Sequence, residues 1–491
     1  MSPAAAPRDG ALPSGPAAAP PPGDSPRESR PQAGDRVPFL QKIAIGLGEV
    51  PTLGRQSIEQ LALPIYHLTL GVSPVLVTAA LALARFLDAF TDPLAGSISD
   101  NTRSRWGRRK PYLLVSSIVC GLTIPLVWLV PSGWGELACF WYFLTTLLVY
   151  YTAYSFFNVP LVALAIEATP DYHERTRVAA YKSFFTYAMG MASAWLFAFT
   201  QLKTFGGTMH GARVTGLAVG LLVLLVGLVP VLAVREGYRE LALRNKRLPF
   251  LAGMRETFCN RSFLVLCLLA TGNKMSASVI QTLGIYILIY HVYHGDVKAA
   301  AVLAGLWGTV YQATTIVTIP VVTWMATHWG KIPALRVCLW ALGAGVASTW
   351  FTYRPGLPYL ALVTAVIIGP GQTAFYAIMR SLMGDICDED ELRTGLRREG
   401  MYASMEAWVE KAMWSLALVL TGLVLTGVGF DRDRGPQAAD TVLSMRLAFM
   451  VIPTLGVSLA LAALRHFPLT EARCLATRRE LERRRGTPHA A

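Results

Sequence analysis

Runs of about twenty apolar residues recur along the whole chain, and a bilayer crossed by α-helix needs segments of that length. Twelve candidates stand out, at 44–70, 75–99, 112–131, 138–166, 178–201, 214–234, 262–291, 298–327, 334–352, 358–384, 400–427 and 443–465. Hydrocarbon offers backbone groups no partners, so spans are helices or closed barrels. These runs are far too long for barrel strands. Polar residues make 44–70 and 400–427 the weakest of the twelve. Composition agrees: 53% of the 491 residues are hydrophobic and 15% charged, against about 25% charged in soluble chains. A soluble core also stops growing beyond about 250–300 residues. The balance excludes a nucleic-acid-binding protein, a disordered protein and an ordinary cytosolic enzyme. It describes an all-α, polytopic membrane protein.

The net charge of +13 is carried largely by short loops between apolar runs. Arg103, Arg105, Arg108, Arg109 and Lys110 follow the second span, and Arg175, Arg177 and Lys182 follow the fourth. Seven more lie in 235–261, and Lys331, Arg393, Arg397 and Arg398 come later. The other side has only Lys203, Arg213, Lys298, Arg354, Arg432 and Arg434. The positive-inside bias places both termini in the cytoplasm of a plasma (inner) membrane protein. The basic cluster from Arg478 to Arg485 agrees and suits anionic headgroups.

Trp106-Gly107-Arg108-Arg109-Lys110-Pro111 after span two is echoed by Trp329-Gly330-Lys331-Ile332-Pro333 after span eight. The expected organisation is therefore a Pro/Ala-rich disordered tail (1–39), a six-helix half (40–234), a basic linker (235–261), a second six-helix half (262–466) and a basic tail (467–491). Related halves place a substrate site at their interface near the midplane. The seven cysteines are scattered without metal spacing and read as packing residues. No phosphate loop points to an ATP pump.

A charge at bilayer depth costs on the order of 2.5–3.5 kcal/mol, so each needs a reason. Asp88 and Asp92 stand one turn apart on span two, with both carboxylates on one helix face. At ~6 Å and an effective dielectric of ~20 they repel by roughly 3 kcal/mol. They ionise together only with a cation between them, or when a proton neutralises one. That is the requirement of a coupling site; the bland reading is a structural pair in which Arg85 neutralises Asp88. Arg55 and Glu59 on span one read equally as a cavity wall or a self-satisfied pair. Span four carries Tyr154, Ser155 and Asn158; span eleven carries Glu406, Trp408, Glu410 and Lys411. Lys411 is the sharpest basic candidate, Lys182 suits snorkelling to the interface, and Lys274 is intermediate. Asp100, Arg105, Arg108 and Arg109 form a gating candidate, pairing in one state and parting in another. The charges of 385–398 suit ion pairs between the halves better than a metal site.

The stretch Asp88-Ala89-Phe90-Thr91-Asp92-Pro93-Leu94-Ala95-Gly96, with Ser99-Asp100 and Arg105 to Pro111, resembles the signature of the glycoside–pentoside–hexuronide:cation symporters. These are the melibiose-permease-like branch of the major facilitator superfamily. Gly384 to Leu392, Thr394-Gly395, Arg397 to Tyr402 and Lys411 resemble it too. The resemblance covers about residues 40–466. It implies a twelve-helix major facilitator fold and cation-coupled symport by alternating access, not an enzyme. It further implies Na⁺ or H⁺ held by Asp88 and Asp92, with Thr91 and Ser155 as oxygen ligands, and a substrate pocket including Tyr154, Asn158 and Lys411. No other metal or cofactor is implied.

Asn158 stands where the sugar-permease pattern has an aspartate, and no aspartate lies near Thr52. Fewer acids facing Lys411 and Arg55 suit an anionic sugar such as a hexuronide. The expected substrate set is Tyr154, Asn158, Arg55, Glu59, Trp408 and Lys411. The expected partners are the bilayer and a sugar or sugar acid taken up by a monomer. A lysolipid transporter and a non-transporting membrane sensor are the rival readings.

Overall fold

The computed structural model describes residues 36–131, 133–169, 172–234, 250–395, 398–431 and 437–485. The proline-rich tail up to residue 35, the linker arginines Arg235, Arg239, Arg244 and Arg247 with Lys246, and Arg397, Arg432 and Arg434 lie outside the described residues. Every regular element among those described is helical.

In the first half these are α1 (Phe39–Leu47), α2 (Val50–Ala62, continued by a π-helical turn Leu63–Thr69), α3 (Pro74–Asn101), α4 (Lys110–Val127), α5 (Glu136–Glu167), α6 (Tyr172–Ala194), α7 (Leu196–Thr200), α8 (Thr208–Gly227) and α9 (Val229–Ala233). The second half has α10 (Phe250–Phe258), α11 (Arg261–Tyr286, with a π-helical turn Ile287–Val292), α12 (Val297–His328), α13 (Lys331–Thr352), α14 (Ala361–Thr394), α15 (Glu399–Gly427) and α16 (Ala439–Arg465), followed by α17 (Glu471–Arg485).

Among the described residues, ten helices are long and apolar enough to cross a membrane. The remaining two expected spans are helical but interrupted, α1–α2 and α6–α7. Weak hydropathy at 44–70 is thus borne out. The second weak span is 178–201, not 400–427, because Glu174, Arg175, Arg177 and Lys182 crowd the start of α6. α15 passes because its acids are confined to its first half and an unbroken apolar run follows.

Helix starts follow local chemistry. Pro74 and Pro111 open α3 and α4, where a missing N–H is harmless. The Asn260 carboxamide accepts from the Ser262 N–H at 2.9 Å, and Asp296 caps α12 through the Lys298 N–H at 3.0 Å. The two echoed loops turn alike. Gly107 and Gly330 both take left-handed φ, at 104° and 85°, which an L side chain resists. Leu122, Leu225, Val317 and Trp340 are exposed along the helices, as lipid-facing residues should be.

The halves pack internally through α3–α5, α4–α5 and α4–α8, and through α11–α16, α13–α14 and α12–α14. They meet along α3–α15 and where α12 crosses α6 and α7. The α3–α15 seam is tight: a Cβ on Gly422 would lie 2.0 Å from the Thr78 hydroxyl.

The two ends of the molecule differ. At the end holding the 70–73 and 201–207 loops, one apolar core takes in both halves, from Tyr66, Trp128 and Phe143 to Leu283, Tyr286 and Phe449. At the arginine-rich end each half has its own core, around Phe157 and Leu161 in the first and around Leu339, Ile378 and Ile386 in the second. The bundle is closed at one end and divided at the other.

Candidate functional site

Asp88 is the most enclosed acid of the α3–α15 seam, with its side chain 2% exposed. It takes hydrogen bonds from the Ser155 hydroxyl on α5 at 2.6 Å and the Arg85 guanidinium at 3.0 Å. Lys411 reaches across from α15. Its ammonium lies 2.9 Å from the Asp88 carboxylate, touches the backbone carbonyl of Asp88 at 3.2 Å and pairs with Asp92. Thr91 and Ser155 share a hydrogen bond at 2.9 Å. The four residues expected to hold a cation therefore do gather, and the positive group between the two acids is the ammonium of Lys411. The structural pairing of Arg85 with Asp88 is present, and Lys411 bridges the acid pair as well.

Beside this seam lies a cavity of about 590 Å³ between the halves. The first half lines it with Arg55, Gln56, Glu59 and Gln60 from α2, Arg85 from α3, and Tyr187 and Ser193 from α6. The second half supplies Lys274 and Gln281 from α11, Trp307, Tyr311 and Gln312 from α12, Gln372 and Tyr376 from α14, and Glu410 and Trp414 from α15. Arg55 is both a cavity wall and a satisfied group: one guanidinium nitrogen donates to both oxygens of Glu59, at 2.8 and 2.9 Å. Tyr151 donates to Glu59 at 2.9 Å, and Arg85 lies over the Tyr151 ring. Lys274 pairs with Glu410.

Other expected substrate residues stand elsewhere. Tyr154 is one layer behind the wall, sharing a hydrogen bond with Thr52 at 3.0 Å and stacking on Tyr150. Trp408 packs on Phe86, 6.4 Å between ring centroids. Asn158, on the same side of α5 as Tyr154 and Ser155, is partly buried and does not line the cavity. Lys411 faces the acid pair instead of the cavity.

Sequence reasoning passed over several groups. Lys182 does not snorkel; it pairs at 2.8 Å with Glu49, which is buried and also accepts from Thr52. The amides Gln281, Gln312 and Gln372 carry no charge to betray them, and no local motif assembles residues from so many helices.

At the arginine-rich end, Arg109 joins Asp100 at 2.8 Å and Glu167 at 2.6 Å, and Arg108 joins Glu167 at 3.1 Å. Arg105 is exposed. In the second half Arg398 clasps Asp390 at 2.7 Å, Lys331 joins Asp385 at 2.6 Å and Arg473 joins Glu389 at 2.6 Å. Each of these pairs ties helices of one half. Where ion pairs between the halves were expected at 385–398, Asp385, Glu389, Asp390 and Arg398 pair within the second half in this state, because the two cores part at this end. Burial alone would make it harder to keep Arg398 charged, but its two hydrogen bonds to Asp390 outweigh that and raise its pKa.

An all-helical bundle of two halves, split at one end around a polar midplane chamber, defines a major facilitator transporter. The fold is shared with the D-xylose-proton symporter, whose crystal structure superposes with a TM-score of 0.62 at 10% identity, covering 88% of this chain and 98% of that one. The family described as MFS/sugar transport protein matches residues 44–471, and the chain belongs to it. The isoprimeverose transporter of Lactiplantibacillus pentosus is 21% identical, over 87% of this chain and 88% of its own. The glucuronide carrier protein homolog of Escherichia coli (strain K12) is 24% identical, over 87% and 92%.

Proposed function

We propose that this protein carries a sugar or glycoside across the inner membrane in symport with Na⁺ or H⁺, by alternating access. The observation that carries the reading is the shared lysine. One ammonium from the second half holds two carboxylates of the first, beside a chamber built by both. With the loop arginines and both termini in the cytoplasm, the divided end faces inward and the closed end outward.

The chemistry follows from charge. Arg55, Arg85, Lys274 and Lys411 face Glu59, Asp88, Asp92 and Glu410, four bases against four acids. An arriving Na⁺ or proton is a fifth positive charge, and of the two acids held by Lys411 it is Asp92 that has room for it, its side chain being 30% exposed against 2% for Asp88. A cation on Asp92 competes with Lys411 and loosens the clasp between α3 and α15. The halves rock when that clasp is exchanged, and an empty carrier keeps it. Asp88 is held by Arg85 and Ser155 while the clasp is exchanged.

The test is gradient-driven uptake into proteoliposomes. Asp92→Asn should abolish accumulation against a gradient while preserving exchange of labelled for unlabelled substrate. Cation-dependent accumulation equal to that of the wild type would sink the assignment. Counterflow without chemical change of the sugar separates transport from a sensor or an enzyme. Preference for lysolipid over sugar would favour the amphiphile reading.

A further inference from the structure

We propose that Lys274 reads a carboxylate on the transported sugar, and that the Glu410 carboxylate fills that place until the substrate arrives. The inference rests on the sugar-symport reading and names the substrate class. An anionic substrate needs a cation in the cavity wall: Lys411 is claimed by Asp88 and Asp92, Arg85 by Asp88, and Arg55 by a Glu59 side chain only 9% exposed, so none of these is that cation. Lys274 is. Its stem is buried in α11, its residue 9% exposed, and its ammonium forms part of the chamber lining.

Three neutral contacts hold that ammonium in place. It donates to the Tyr376 hydroxyl at 3.0 Å and lies 5.1 Å from the Tyr376 ring centroid and 5.7 Å from that of Trp414. Those distances suit cation–π attraction. None of the three depends on Glu410. The lysine thus keeps its position if Glu410 leaves, and only its counter-charge changes.

Glu410 is suited to leave. Its side chain is 39% exposed to the chamber, against 11% for Lys274. Arg85 and Arg380 both lie within its electrostatic reach. A carboxylate replacing a carboxylate keeps the buried ammonium paired, which a neutral sugar cannot do. The released Glu410 would then draw on Arg85, the partner of Asp88, so that substrate binding is felt at the cation site next to it. Glu410 and Lys411 are consecutive on α15 and point to the two sites. The rest of the wall suits hydroxyls: five amide side chains line it, and the Trp307 indole N–H and the Gln56 amide oxygen have no hydrogen-bond partner among the described residues.

The experiment compares uptake of labelled methyl glucuronide and methyl glucoside by proteoliposomes of the full chain, with Lys274→Gln and Glu410→Gln. The wild type should prefer the glucuronide by about tenfold or more in kcat/KM. Lys274→Gln should collapse that ratio, and Glu410→Gln should lower the glucuronide KM several-fold by removing the competitor. Equal use of both probes by the wild type overturns the inference alone. An unchanged ratio in Lys274→Gln, or a raised glucuronide KM in Glu410→Gln, does the same. If Lys274→Gln does not fold, the Glu410→Gln result decides. Competition by lysophosphatidate but not by free glucuronate would assign the ammonium to a phosphate and overturn the sugar-acid class. No uptake of either probe by the wild type overturns the sugar-symport reading, and this inference with it.

Discussion

Two pairs of acids, each spaced one helical turn, sit within this bundle and fare differently. Asp88 and Asp92 on α3 are served from both halves, by Arg85 and Ser155 on one side and Lys411 on the other. On α15, Glu410 has its cation, Lys274, in its own half, and Glu406 makes no ion pair among the described residues. Asp88 is sealed, whereas Glu410 opens onto the chamber. Equal spacing along a helix sets which residues share a face and nothing more. Whether the pair becomes a clasp between halves or a movable group in a wall depends on what the opposite helices bring.

The contrast can be broken by removing one acid at a time. The largest effect is expected from Asp88→Ala, which leaves Arg85 and Lys411 buried with too few anions. Losing one partner of a buried ion pair costs about 3–5 kcal/mol, so thermal unfolding in detergent should shift strongly downward and uptake should vanish. Near-normal stability would show that water replaces the carboxylate. Lys411→Gln comes next. Without the internal cation, the carrier should become dependent on added Na⁺ or acid for its stability as well as for uptake, read as a ligand-dependent rise in melting temperature. Glu406→Gln should do less. Its carboxylate has no partner as close as that of Glu410, so uptake at neutral pH should change by less than about twofold, within roughly 0.5 kcal/mol. Smallest is Lys331→Ala, which removes a partly exposed pair with Asp385. Such pairs contribute about 0.2–1 kcal/mol, reduced further by salt. A larger loss there would mean that this pair also works in the opposite conformational state.

Much of the architecture could be read from the chain alone. Apolar runs of bilayer length admit one kind of backbone, and the echoed Trp-Gly stretches both mark loops between helices. Gly107 and Gly330 both take positive φ there. The pair Asp88 and Asp92 announced itself because charge in hydrocarbon needs a reason, and a spacing of four places both acids together. Hydropathy misjudged the second weak span, since it averages over charges gathered at one end of α6 and over those dispersed along the first half of α15.

Partnership was out of reach. Lys411 lies more than 300 residues from the aspartates it joins, and Glu49 more than 130 from Lys182. Nothing in a linear pattern says that neighbouring Glu410 and Lys411 serve different sites. The chain itself determined the helices, their faces and the charges that cannot rest in lipid, because those follow from period, length and solvation. Tertiary packing alone decided which opposite charges meet, which amides ring the chamber and which end is shut, because those depend on distances between helices that no residue sets by itself.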